Sequence, residues 1–181
     1  MGRTLYSCTM SLDGFMAGPG GDMQWLLPFL GPDPVADGLV VQIGALLVGR
    51  RTHDGDDPNR GTEQEGAFSG TYDGPAFVLT HRPPAEPPVD PSLTFVTDLA
   101  EGVAAARAAA GDRYVNVLGA EVARGCLEAG LLDEVLVMVV PLLLGDGTRL
   151  YDWPGGRSVD LVPRLVSRGP KATTLWYDVA R

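Results

Sequence analysis

The amino-acid sequence predicts an α/β fold: a single domain, residues 1–181, with a mixed, mostly parallel sheet flanked by helices and completed by an antiparallel hairpin near its C-terminal end. Three observations predict it. Short continuous apolar runs, "ALLV" (45–48), "AFVL" (76–79), "YVNVL" (114–118) and "EVLVMVV" (134–140), recur between Gly, Pro or charged residues, and such runs suit strands covered on both faces. Segments of helical spacing separate most of them, which is the pattern of parallel strands joined by right-handed crossovers. The end of the chain then changes character, because "SVDLVPRLVSRG" and "ATTLWYDVAR" are divided by Gly169, Pro170 and Lys171 and read as two antiparallel strands.

Taken in order, an apolar-polar alternation around Cys8 gives a first strand that ends before Asp13. "SLDGFMAGPGGDMQ" (11–24) follows as a long loop. Asp33 and Pro34 supply an N-cap and a first-turn proline for a helix whose stripe is Val35, Leu39, Val40 and Ile43, closed by Gly44. The strand 45–48 runs into Gly49, Arg50, Arg51 and Thr52, and a second long loop, "DGDDPNRGTEQEGAFSGTYDG" (54–74), precedes the strand 76–79. Loops of this length in compact domains act as lids or binding segments or are disordered. Asp98 and Glu101 form a capping-box pattern ahead of Leu99, Val103, Ala106 and Ala110, with Gly111 as the stop. A third helix carries Val122, Ala123, Cys126 and Leu127 on one side and stops at Gly130.

Composition narrows the chemistry. A chain of 181 residues can bury about 70% of its unfolded surface, so the core needs no staple. Its two cysteines read as buried thiols in a reducing compartment, and no basic segment leads into a long apolar run, so a cytoplasmic protein is expected. The net charge of −9 repels phosphate backbones, which argues against nucleic acid as a partner, and there is no footprint for an anionic membrane. Two histidines and two separated cysteines assemble no zinc spacing, and the acidic start at Asp54, Asp56 and Asp57 departs from a calcium loop at Pro58 and Asn59, so no metal is expected. Ser69 lacks the first glycine of a nucleophile elbow.

Ligands of open α/β sheets bind beyond the carboxyl ends of the strands. Three of those ends here favour anions. Gly49-Arg50-Arg51-Thr52 offers backbone N–H groups at a helical turn and two guanidinium groups; Leu79-Thr80-His81-Arg82 offers a hydroxyl, an imidazole and a guanidinium; Leu118-Gly119-Ala120-Glu121-Val122 is a small-residue turn opening a helix. A solvated turn would look the same at any one of them, but three together describe an extended ligand, and arginines beyond a diphosphate fit the 2′-phosphate of NADP. Asp13 could hydrogen-bond the amide or amino edge of a substrate, although an Asp-Gly pair also forms turns by itself. The glycines ending at Gly21, with Asp22 and Trp25, could close as a lid, while Trp25 alone reads as a packing aromatic.

"SLDGFMA", "VGRRTHD", "VLTHRPP" and "VLGAEVARGCLEAGLLDEVLVMVVPLLLGDGTRL" together resemble the dihydrofolate reductase superfamily, and within it the branch of the C-terminal reductase domain of the bifunctional riboflavin-biosynthesis deaminase/reductase. The likeness covers almost the whole chain, in order. It implies a dihydrofolate reductase-like domain that binds NADPH through Gly49, Arg50, Arg51 and Thr52, through Leu79, Thr80, His81 and Arg82, and through Leu118, Gly119, Ala120, Glu121 and Val122. The family usually carries two adjacent glycines where this chain has Gly119 and Ala120, and the 54–74 loop carries little of the aromatic, folate-lining character of the classical enzymes. The resemblance therefore implies hydride transfer to a small heterocyclic acceptor, pterin- or ribityl-pyrimidine-like, or to a carbonyl-type one. The alternative is a non-catalytic nucleotide-binding protein that keeps the NADPH cradle. The apolar 135–145 region and the last strands could supply a homodimer face.

Overall fold

The computed structural model describes residues 2–180. Its strands are β1 (Thr4–Ser11), β2 (Phe15–Ala17), β3 (Ile43–Gly49), β4 (Ala76–Leu79), β5 (Leu93–Val96), β6 (Tyr114–Leu118), β7 (Glu134–Val140), β8 (Thr148–Arg149), β9 (Leu161–Arg168) and β10 (Thr173–Val179). Its helices are α1 (Pro34–Val40), α2 (Arg50–His53), α3 (Leu99–Ala110) and α4 (Ala120–Glu128), with short 3-10 turns at Pro19–Gly21 and Gln24–Phe29. The backbone forms two compact units: one from the start through Tyr6 with Gln42–Asp54 and Asp73–Asp133, the other from Ser7–Val41, Gly55–Tyr72 and the chain from Glu134 onward. β1 contributes to both.

In the first unit the strand order is β5-β4-β3-β6-β1, and every pair in it is parallel. Leu5, Ala45, Leu47, Val78, Val115 and Val117 are completely buried, which explains why these strands read as continuous apolar runs instead of alternating ones. α3 begins where the sequence predicts, with the Asp98 carboxylate accepting from the Glu101 backbone N–H at 2.9 Å, and stops at Gly111 with φ 64°. A charged pin fastens it: Arg107 donates to Asp133 Oδ2 at 2.9 Å and to Thr4 Oγ1 at 3.0 Å, while the Thr4 N–H donates to the same Asp133 oxygen at 2.8 Å.

The first helix is shorter than its apolar stripe predicts. α1 starts under its Asp33 cap but stops at Val40, and Ile43 and Gly44 open β3. Ile43 pairs with Tyr114 of β6, and a Cβ on Gly44 would lie 2.6 Å from the Ala110 carbonyl oxygen at the end of α3. The glycine is thus a contact point for a packed helix, not a helix stop.

The second unit runs β1-β7-β10-β9, with β10 antiparallel to both of its neighbours, as the hairpin pattern predicts. Glu134, with no exposed surface, accepts from Trp176 Nε1 at 2.6 Å and from Arg164 at 2.8 Å, and the Arg164 guanidinium lies 5.1 Å from the Trp176 ring centroid. The three strands are therefore tied by one buried carboxylate and its cation. β9 is exposed along almost its whole length. The long loop at 11–24 contains β2, antiparallel to the two-residue β8, with the Arg149 guanidinium 4.5 Å over the buried Phe15 ring. In the other long loop the acids close turns on their own chain: Asp57 accepts from the Asn59 and Gly66 backbone N–H groups at 2.8 and 2.7 Å, and Glu65 from that of Gly61 at 2.8 Å. Asx-type bonding of this kind is a structural use of carboxylates.

Candidate functional site

The register of the first unit brings the three anion-friendly strand ends side by side. β3 lies between β4 and β6, Gly49 is opposite Leu79, and Val48 is opposite Leu118. The segments that follow, 49–52, 79–82 and 118–122, accordingly leave one edge of one parallel sheet. That common edge is what the extended-ligand interpretation requires.

Two of the segments turn directly into helices with glycine N-caps. α2 starts after Gly49 and α4 after Gly119, and neither has a side-chain cap, whereas α1 and α3 are capped by Asp33 and Asp98. First-turn N–H groups without a capping side chain suit an anionic ligand, and the helix dipole adds to the attraction. The turns pack closely. A Cβ on Gly119, where φ is 107°, would lie 2.6 Å from Thr52 Oγ1, and one on Gly49 would lie 3.0 Å from Val122. Gly119 therefore serves two ends, a conformation reserved for glycine and a contact that joins the β6 turn to α2.

The arginines differ in their surroundings. Arg50 pairs through Nε with Asp54 one turn later, and its guanidinium lies 5.5 Å from the Phe95 ring centroid, with His53 edge-on to the same ring at 6.2 Å. Arg51 is 86% exposed and reaches Glu121 at 3.1 Å. Thr80 is buried, its N–H donates to the Val96 carbonyl at 2.9 Å, and its hydroxyl oxygen accepts from the Arg82 N–H at 3.2 Å. His81 and Arg82 are exposed beyond it, and Leu79 and Leu118 are the last residues of their strands. Ala120, Glu121 and Val122 form the first turn of α4, with Val122 buried. Phe95 is not among the residues that the sequence singles out, and Asp54 is read there only as the start of an acidic loop. The signal for Phe95 was the β-rich "LTFV" segment, and for Asp54 the i,i+4 spacing from Arg50.

The remaining candidates belong to the second unit. Asp13 is engaged by its own chain: Oδ1 accepts from Ser11 Oγ at 2.6 Å and from the Leu144 N–H at 3.0 Å, and Oδ2 accepts from the Gly145 N–H at 2.7 Å. The Ser11 hydroxyl, then the Leu144 and Gly145 amides, bring its pKa from 3.8 down to about 2. Such a carboxylate accepts hydrogen bonds but holds no proton to give near neutrality. Because the folded-state pKa is the lower one, the stabilisation from Asp13 is fully present above pH 3.8 and is lost as pH falls towards 2. Acid unfolding followed by circular dichroism should show a smaller stability loss over that window in Asp13→Asn than in the parent chain. Equal losses would mean that the contacts do not bind the ionised form preferentially.

Gly21 ends the first 3-10 turn with φ 90°, and Asp22 accepts from the Gln24 N–H at 3.0 Å. Trp25 is half-buried, and its indole Nε1 meets no acceptor among the described residues. Asp56 ties this segment to the acidic loop, accepting from the Met23 N–H at 3.1 Å and Gln24 Nε2 at 3.0 Å, and the Gln24 and Met23 bonds lower its pKa. Burial pushes the Cys126 thiol up to about 12, against a smaller opposing pull from Arg107, so it is an inert core residue. Among the described residues no group of three or more His, Cys, Asp or Glu is placed to hold a metal ion, and no helix is long and apolar enough to cross a membrane.

Comparison with known proteins agrees with this fold. The uncharacterized protein YyaP of Bacillus subtilis (strain 168) is 25% identical over 158 residues, spanning 82% of this chain and 80% of YyaP. Among solved structures, a protein of Shewanella sp. PV-4 named for riboflavin biosynthesis superposes with a TM-score of 0.76 at 23% identity, covering 99% of both chains. The Saccharomyces cerevisiae riboflavin biosynthesis reductase Rib7 gives 0.60 at 14% identity, covering 99% of this chain and 89% of its own. Identities this low establish a shared fold. The family model "RibD C-terminal domain" matches residues 4–170. With a mixed sheet, parallel strand ends gathered on one edge and a match across nearly its whole length, the chain belongs to the RibD C-terminal domain family.

Proposed function

We propose that the chain is a cytoplasmic NADPH-dependent reductase that passes a hydride to a small heterocyclic acceptor, of pterin or ribityl-pyrimidine type, or to a carbonyl-type acceptor. The observation that carries the proposal is the pair of glycine-started helices, α2 and α4, that follow neighbouring parallel strands without a capping side chain. They fit the phosphates of a dinucleotide, and the reductase activity named for the yeast relative supports the reaction class. The nicotinamide, when bound, supplies the hydride. The chain's own task is to bind and orient. Backbone N–H groups at the α2 and α4 starts would take the diphosphate, and Arg50, steadied by Asp54 and Phe95, would read the 2′-phosphate, with Arg82 and Thr80 beyond the next strand.

Thermal shift with each cofactor tests this. NADPH at one hundred times its dissociation constant should stabilise the protein by roughly 2.7 kcal/mol. Arg50→Ala should weaken NADPH at least about tenfold more than NADH, since a charge-assisted bond to phosphate contributes about 1.5–3 kcal/mol. Equal losses for both cofactors, or no stabilisation by either, would overturn the assignment.

The non-catalytic alternative is favoured by one observation, the engagement of Asp13 by Ser11, Leu144 and Gly145. NADPH oxidation followed at its absorbance band over pterins, ribityl-pyrimidines and quinones separates the two: turnover establishes a reductase, and silence with tight NADPH binding establishes a binding protein. A homodimer is the proposed assembly. The exposed apolar residues that it would cover are Leu161, Val162, Leu165 and Val166 of β9, since β7 is largely buried.

A further inference from the structure

Arg51 and Glu121 leave the ends of adjacent strands and meet across the starts of two helices. Arg51 Nη2 lies 3.1 Å from Glu121 Oε1, with the side chains 86% and 66% exposed. An ion pair so open to solvent does little for folding. Its position matters more. Glu121 stands in the first turn of α4, directly after the Gly119-Ala120 turn, and its partner is the less restrained of the two arginines in α2. A carboxylate at a helix start is drawn by the same N–H groups and dipole that draw a phosphate.

We propose that Glu121 is an affinity-lowering competitor: its carboxylate takes the guanidinium of Arg51 and the field at the α4 start, and an incoming diphosphate must displace it. The inference rests on the dinucleotide proposal above and adds a residue that lowers affinity instead of raising it. Two effects act together, loss of the Arg51 pair and repulsion between the carboxylate and the diphosphate. The diphosphate is common to NADPH and NADH. Glu121 therefore weakens both cofactors alike, whereas Arg50 separates them.

The test is a binding titration, by calorimetry or thermal shift, of NADPH, NADH and inorganic pyrophosphate against the parent chain, Glu121→Gln, Arg51→Ala and the double variant. Gln preserves the size of Glu and removes its charge. Glu121→Gln should tighten NADPH and NADH equally, by about two- to fivefold, and pyrophosphate in the same direction. The gain should shrink in the Arg51→Ala background and at about 1 M salt, where the Debye length falls to about 3 Å. Unchanged or weaker binding by Glu121→Gln, with the parent chain still binding NADPH, would overturn the role of Glu121 and leave the dinucleotide proposal standing. Tightening of NADPH alone would overturn it too, by placing Glu121 at the 2′-phosphate. Absence of NADPH binding in both chains would remove the dinucleotide proposal and this inference together.

Discussion

Gly119→Ala is expected to cost the protein about 2–4 kcal/mol and, on the dinucleotide proposal, most of its affinity for NADPH. A side chain at φ 107° is strained wherever it occurs, and the added Cβ would also lie 2.6 Å from Thr52 Oγ1. Thr52 is β-branched and has few rotamers to escape into, so the start of α4 would have to move away from α2. The two contributions can be separated. Adding Thr52→Ala should recover the part due to overlap, while the backbone strain remains. Chemical denaturation gives the stability change and an NADPH titration the affinity. A Gly119→Ala protein with unchanged stability and binding would show that the turn is not held as described.

The second large effect is expected from Arg107→Ala. The guanidinium sits against Asp133, whose side chain is 6% exposed, and also binds Thr4 Oγ1 and the Leu131 carbonyl. Removing one partner of a buried pair costs about 3–5 kcal/mol, because the desolvated carboxylate loses the Arg107 charge. Asp133→Asn added to Arg107→Ala should restore part of that loss by removing the charge itself. Additive losses in the double variant would indicate that Arg107 acts through packing of its aliphatic stem instead.

The gathering of the three candidate segments on one edge was legible because it needs little more than strand identity. Once 45–48, 76–79 and 114–118 are parallel strands, Gly49, Thr80 and Gly119 must emerge at carboxyl ends, and Asp33 and Asp98 declare their helices through local capping chemistry. What escaped depends on register and distant pairing. β2 and β8 have three and two residues, too short for any period, and exist by pairing with each other across the chain. The Asp13 contacts with Leu144 and Gly145 span more than a hundred residues, which no local pattern encodes. Ile43 fitted the helical stripe of α1, and only its pairing with Tyr114 and the approach of Ala110 to Gly44 assign it to β3. Phe95 acquires its role behind Arg50 from the placement of β5 beside β4, a fact of sheet order.

The uneven capping of the helices has a dynamic consequence. α1 and α3 carry their own acceptors, so their first turns are closed whether or not anything is bound, while α2 and α4 begin on glycine with none. Terminal turns of that kind fray first and exchange their amide hydrogens fastest. A ligand bound in the proposed cradle would stiffen those turns, and part of its intrinsic attraction would be consumed in ordering them.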